Sequence, residues 1–170
     1  MARKPEGPPP PPAVQRLRVH YAKRGRLRFS SHRDFQRAFE RALRRAGVPM
    51  AYSAGFSPHP KVSYAGAAPT GTASEAEYLE IAVAQRCDPQ RLREALDAAL
   101  PPDLDVLEVV EVAAGRGGLA ERLEASVWEI RLPGVTPDRA RDAAATFLAA
   151  PEVEVARMTK NGLRTFDARA

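Results

Sequence analysis

The sequence predicts an α+β protein: a ferredoxin-like (split βαβ) sandwich followed by a second, incomplete α/β half-module. Three observations carry that expectation. Apolar residues alternate with a period of two at 14–21 and 77–83, the spacing of half-buried strands, and 104–112 reads as another strand. Between these runs lie two stretches with apolar residues at helical spacing, each opened by a capping residue. The resulting order of strand, helix, strands, helix, strand is that of the split βαβ motif.

The elements follow in order. Residues 1–13 form a Pro-rich tail, in which Pro8 to Pro12 favour an extended, solvated polyproline conformation. In the first strand, 14–21, Leu17, Val19 and Tyr21 share one face and Arg16, Arg18 and His20 the other. Lys23-Arg24-Gly25 is a turn, and Leu27-Arg28-Phe29 an extended lead-in. The first helix spans 32–46. Ser31 is its N-cap and Asp34 completes a capping box. Phe35, Ala38, Phe39, Ala42, Leu43 and Ala46 form its buried face, and Gly47 with Pro49 ends it. Short and longer strands are expected at 62–64 and 77–83. Asp88-Pro89 opens a second helix carrying Leu92, Leu96 and Leu100 inward, and 104–112 closes the first module, 14–112. Residues 113–119 are a Gly-rich linker. The second module, 120–170, is expected to contain a strand at 123–132 and a helix opened by Thr136-Pro137. Two more strands flank an Asn161-Gly162 hairpin turn. It lacks the last helix and strand of a full module and reads as truncated.

Bulk composition narrows the function classes. A single cysteine, Cys87, excludes an internal disulfide framework and a cysteine-held zinc or iron–sulfur site within this chain. A reducing, cytoplasmic setting is expected, with no secretory leader in residues 1–12 and no membrane-spanning stretch. The net charge of +5 is concentrated. Residues 13–46 carry 11 Lys/Arg against two acids, whereas 61–170 carry 13 against 18. A basic patch on a mildly acidic remainder implies a local anionic partner, RNA first.

Two segments concentrate candidate binding residues. On the first helix Arg33, Arg37, Arg41 and Arg44 form one stripe with Arg45 beside it, suited to forking onto phosphates. Arg16, Arg18, Arg26 and Arg28 are expected to extend it. His32 sits in the first turn, where free backbone N–H groups favour an anion. The loop 52–61 places Phe56, His59 and Lys61 between prolines: Phe56 to stack on a base, His59 and Lys61 to meet phosphate. The plainer alternative is that Phe56 plugs the core. No nucleophile constellation, Walker loop or metal-ligand spacing is present.

The stretch from Phe29 to Ile81 resembles a family, the bacterial radical SAM-linked proteins of unknown function. Ser31-His32-Arg33-Asp34, Arg41 to Ala46, Pro49 to Ser53 and Gly55-Phe56-Ser57-Pro58-His59-Pro60-Lys61 carry the likeness. Pro69-Thr70-Gly71, Ser74 and Glu77 to Ile81 extend it, and Lys160 to Asp167 resembles a later segment. The resemblance implies an accessory partner of a separately encoded radical SAM protein rather than the radical enzyme itself. The chain has no C-x3-C-x2-C motif. Members usually run past the position of Ala170. No catalytic residue and no cofactor is implied.

The expected function is therefore a non-catalytic module that presents RNA, tRNA or rRNA, to a radical SAM enzyme. One rival is a ferredoxin-like RNA endonuclease resembling CRISPR RNA-processing enzymes, using a histidine as general base. Another is a pure protein-interaction subunit.

Overall fold

The computed structural model describes residues 10–113 and 118–169. Most of the tail expected at 1–13 and the centre of the linker expected at 113–119 lie outside the described residues. The chain divides into two compact units, 1–126 and 127–170.

The first unit is built from β1 (Gln15–Lys23), α1 (His32–Arg45), β2 (Val62–Tyr64), β3 (Ser74–Val83), α2 (Pro89–Ala99) and β4 (Leu104–Glu111). Its sheet has the order β2-β3-β1-β4, with β3 antiparallel to β1 and β2, and β1 antiparallel to β4. That order is ferredoxin-like. Period-two alternation puts Leu17, Val19 and Tyr21 of β1 on the same face as Leu79, Ile81 and Val83 of β3. Phe35, Phe39, Ala42 and Leu43 of α1 and Leu92 and Leu96 of α2 join them in one core. Tyr21 stacks on Phe35 with ring centroids 4.4 Å apart. Both helices thus pack on a single face of the sheet.

Local signals start the helices. The Ser31 hydroxyl accepts from the Asp34 backbone N–H at 3.2 Å, and the Asp34 carboxylate accepts from Ser31. These bonds hold the Asp34 carboxyl below the usual carboxylate range. The Asp88 carboxylate likewise accepts from the Arg91 N–H at 2.9 Å.

Two sequence expectations change. The lead-in at 27–29 is not extended but part of a 3-10 turn, Gly25–Phe29, because Gly25 takes φ 45 and redirects the chain. The strand expected at 123–132 does not form. Residues 123–132 carry no ladder among the described residues, and Val127, Trp128 and Ile130 are exposed. A run that reads locally as a strand becomes one only where a partner supplies the hydrogen bonds.

The second unit holds α3 (Pro137–Ala149) and the hairpin of β5 (Glu154–Thr159) and β6 (Gly162–Asp167). The Thr136 hydroxyl accepts from the Arg139 N–H at 3.4 Å, and Gly162 takes φ 101 in the turn.

Candidate nucleic-acid interface

Helical periodicity puts Arg33, Arg37, Arg41 and Arg44 on the face of α1 opposite its buried residues, with Arg45 at its margin. All five side chains are exposed. None forms an ion pair among the described residues, although seven other ion pairs occur there. An exposed guanidinium without a carboxylate partner keeps its fork of donors available.

The loop after α1 is rigidly necked. Tyr52 and Pro60 form an isolated β-bridge. The Ser53 N–H donates to the His59 carbonyl at 2.9 Å, and the His59 N–H donates to the Ser53 hydroxyl at 3.0 Å. Ala51 and Lys61 continue the pairing, with Lys61 N–H donating to Ala51 O at 2.8 Å. Above this neck Phe56 is 67% exposed. It does not plug the core; the neck lifts its ring into solvent, where a base can stack on it.

A cleft of about 260 Å³ joins the helix to the loop. Glu40 and Arg44 line one side, Tyr52, Pro58 and His59 the other, and Met50 contributes from beneath. Arg44, at the C-terminal end of the stripe, is thus the arginine that meets the loop across this cleft, beside His59; Phe56 and Lys61 do not line it. Asp34 and Glu40 are the acids at the edges of the stripe: after the Ser31 hydrogen bonds, the Arg37 charge helps lower the Asp34 carboxyl, and Glu40, after burial, helps push the Tyr64 hydroxyl up to about 12.

Other expected members fall elsewhere. Arg16 and Arg18 do not extend the α1 patch, because strand alternation directs them to the sheet face opposite the helices. Arg18 is bound there to Glu80 at 2.6 Å. Arg26 and Arg28 lie on the 3-10 turn, and the Arg28 guanidinium sits 4.7 Å from the Phe29 ring centre. His32 rests edge-on against Tyr64, centroids 5.2 Å apart, and its Nε2 is 2.9 Å from the Gln36 amide. It occupies the N-terminal end of α1, about 18 Å along the axis from Arg44. Lys61 lines a second cleft beyond the neck, together with His59. His20 stacks on Tyr78 on the helix-free face, centroids 4.5 Å apart, and lies 2.6 Å from the Glu75 carbonyl. His20 and His32 thus stand on opposite faces of the sheet and do not form an acid–base pair. Among the described residues no group of three or more His, Cys, Asp or Glu is placed to hold a metal ion, and no helix is long and apolar enough to cross a membrane.

A family described as an uncharacterized protein conserved in bacteria (DUF2344) matches residues 16–170. The chain belongs to this family. A comparison with curated proteins finds no match. The DUF2344 match spans α1, the necked loop and both structural units. Sequence reasoning missed Tyr52, which lines the helix–loop cleft. An aromatic residue opening a proline-rich loop was the available signal, but it is the bridge to Pro60 that sets Tyr52 at the cleft that Arg44 also lines.

Proposed function

We propose that this DUF2344 chain is a non-catalytic, cytoplasmic RNA-binding module that serves a separately encoded radical SAM enzyme. The RNA reading rests on one observation: a stripe of four exposed arginines along α1 with Arg45 at its margin, none of the five in an ion pair among the described residues. Such a face holds phosphates. The strand would run along α1 through the cleft at Arg44 and His59, stack a base on Phe56, and leave past Lys61. His32 would meet a phosphate at the other end of the helix. The radical SAM association rests on the resemblance carried by residues 29–81.

The test is RNA binding across a salt series, comparing wild type with Arg37/Arg41/Arg44→Ala. Each single-strand phosphate contact contributes about 0.7 to the slope of log K against log salt, so the triple variant should lose about 2 units of slope. Unchanged slope would remove α1 from the interface. Absence of binding even at low salt would overturn the RNA reading and direct attention to an acidic protein surface.

A further inference from the structure

The helix-free face of the sheet carries a second cleft, of about 310 Å³, against the far side of the loop neck. Its shape follows from one small residue. Ala82 of β3 is paired with Arg16 of β1, and its N–H donates to the Lys61 carbonyl at 3.0 Å. Arg16 and Lys61 thus flank Ala82 on neighbouring strands, about 10 Å apart across two strand spacings. Both residues line the cleft over Ala82, and a methyl group cannot fill the space between them. The hollow is the consequence.

The charge in this hollow is uncompensated. Glu80 is the acid lining it, but Glu80 is buried and held by Arg18 through Nε at 3.1 Å and an Nη at 2.6 Å. Arg16 and Lys61 are exposed, and neither forms an ion pair among the described residues. Ser53, Ser63 and His59 complete the polar lining, and Pro60 supplies an apolar wall. The neck hydrogen bonds between Ser53 and His59 hold that side of the cleft in place. Two cations across a rigid hollow, with serines beside them, suit a doubly charged oxyanion. The apolar wall and a volume at the lower end of the small-molecule range leave room for a sugar or base attached to it.

We propose that this cleft binds a phosphomonoester, the terminal phosphate of a nucleotide or of an RNA strand, between Arg16 and Lys61. The site shares His59 and Lys61 with the RNA reading but uses none of the α1 arginines, so the two fail separately.

Titration calorimetry with uridine 5′-monophosphate and with uridine tests it, alongside an RNA octamer bearing a 5′-phosphate or a 5′-hydroxyl. Removal of the phosphate should weaken binding by at least about tenfold. Arg16→Ala and Lys61→Ala should abolish that difference, and so should Ala82→Leu, which fills the hollow without changing charge. The Arg37/Arg41/Arg44→Ala variant should retain it for the mononucleotide. If, in the Arg37/Arg41/Arg44→Ala variant, the phosphorylated octamer binds far more tightly than both the mononucleotide and the 5′-hydroxyl octamer, the ligand is an RNA end; if octamer and mononucleotide bind equally there, it is a free nucleotide. The proposal is overturned if neither ligand pair distinguishes phosphate from hydroxyl, or if the three cleft variants keep the distinction intact.

Discussion

Tyr64 sits where α1 meets β2. Its hydroxyl is buried and has no hydrogen-bond partner among the described residues, while its ring packs against His32 and Phe35. A buried hydroxyl without a partner forfeits its water bonds for nothing, so Tyr64→Phe should be neutral or stabilise the protein by about 1 kcal/mol. A clear fall in melting temperature would mean that the hydroxyl is in fact satisfied. The same burial gives a pH dependence. The Tyr64 hydroxyl is pushed up to about 12, chiefly by desolvation and then by Glu40. Burial also raises Tyr21, with Glu77 adding to it. A raised folded-state value means that this stabilisation is complete below the unfolded value of about 10 and is lost as pH climbs toward 12. Urea unfolding between pH 9 and 12 should therefore show declining stability, and the decline should be shallower in Tyr64→Phe. Equal slopes would assign the alkaline loss to other groups, Tyr21 and the Cys87 thiol, also raised by burial, among them.

At the level of elements, what was legible in the sequence was what local chemistry decides. Ser31 with Asp34, Asp88 with Pro89, and Thr136 with Pro137 start three helices, because a cap bonds to backbone only two or three residues away. The turn after β1 was legible at Lys23-Arg24-Gly25, but its continuation as a 3-10 turn over Gly25–Phe29 was not, since a residue far along the chain shapes it. The Asp103 carbonyl accepts from the Arg24 N–H at 2.8 Å, and its carboxylate accepts from the Arg26 N–H at 3.3 Å. Gly25 lies between these two bonds with φ 45, and a Cβ there would overlap the Asp103 carboxylate. Gly25→Ala should therefore cost about 1–3 kcal/mol in urea unfolding, from the left-handed backbone together with the displaced carboxylate. Adding Asp103→Gly should cost less in that background than in wild type, because the clash is relieved and Asp103 itself has φ 75. Strict additivity would show that the clash is absent. The run at 123–132 failed for the opposite reason: its apolar residues read locally as a strand, yet a ladder needs a second strand that no local pattern can announce.

Across the whole molecule, the sequence exposed the excess of arginine but not its partition. Arg16 and Arg18 count toward the same basic third as α1, and only the packing of both helices on one sheet face puts them on the other side. The Gly55–Lys61 loop was visible as an unusual run; that it stands between two clefts, with His59 lining both, depends on the neck pairing to Ala51 and Ala82. Every residue of the hydrophobic core cluster lies between Leu17 and Val109. That core draws on three strands and two helices, with Val62 and Tyr64 of β2 packed against it, and a unit of this size buries enough surface to fold alone. A fragment ending at Ser126 should accordingly unfold in one cooperative transition, with a midpoint within a few degrees of the full chain's when followed by circular dichroism. It should also keep the salt-dependent RNA binding, because α1, the loop and both clefts lie within it. A fragment that is unfolded, or that melts far below the full chain, would show that the sandwich draws stability from 127–170. A folded fragment that no longer binds would instead move the interface into the second unit.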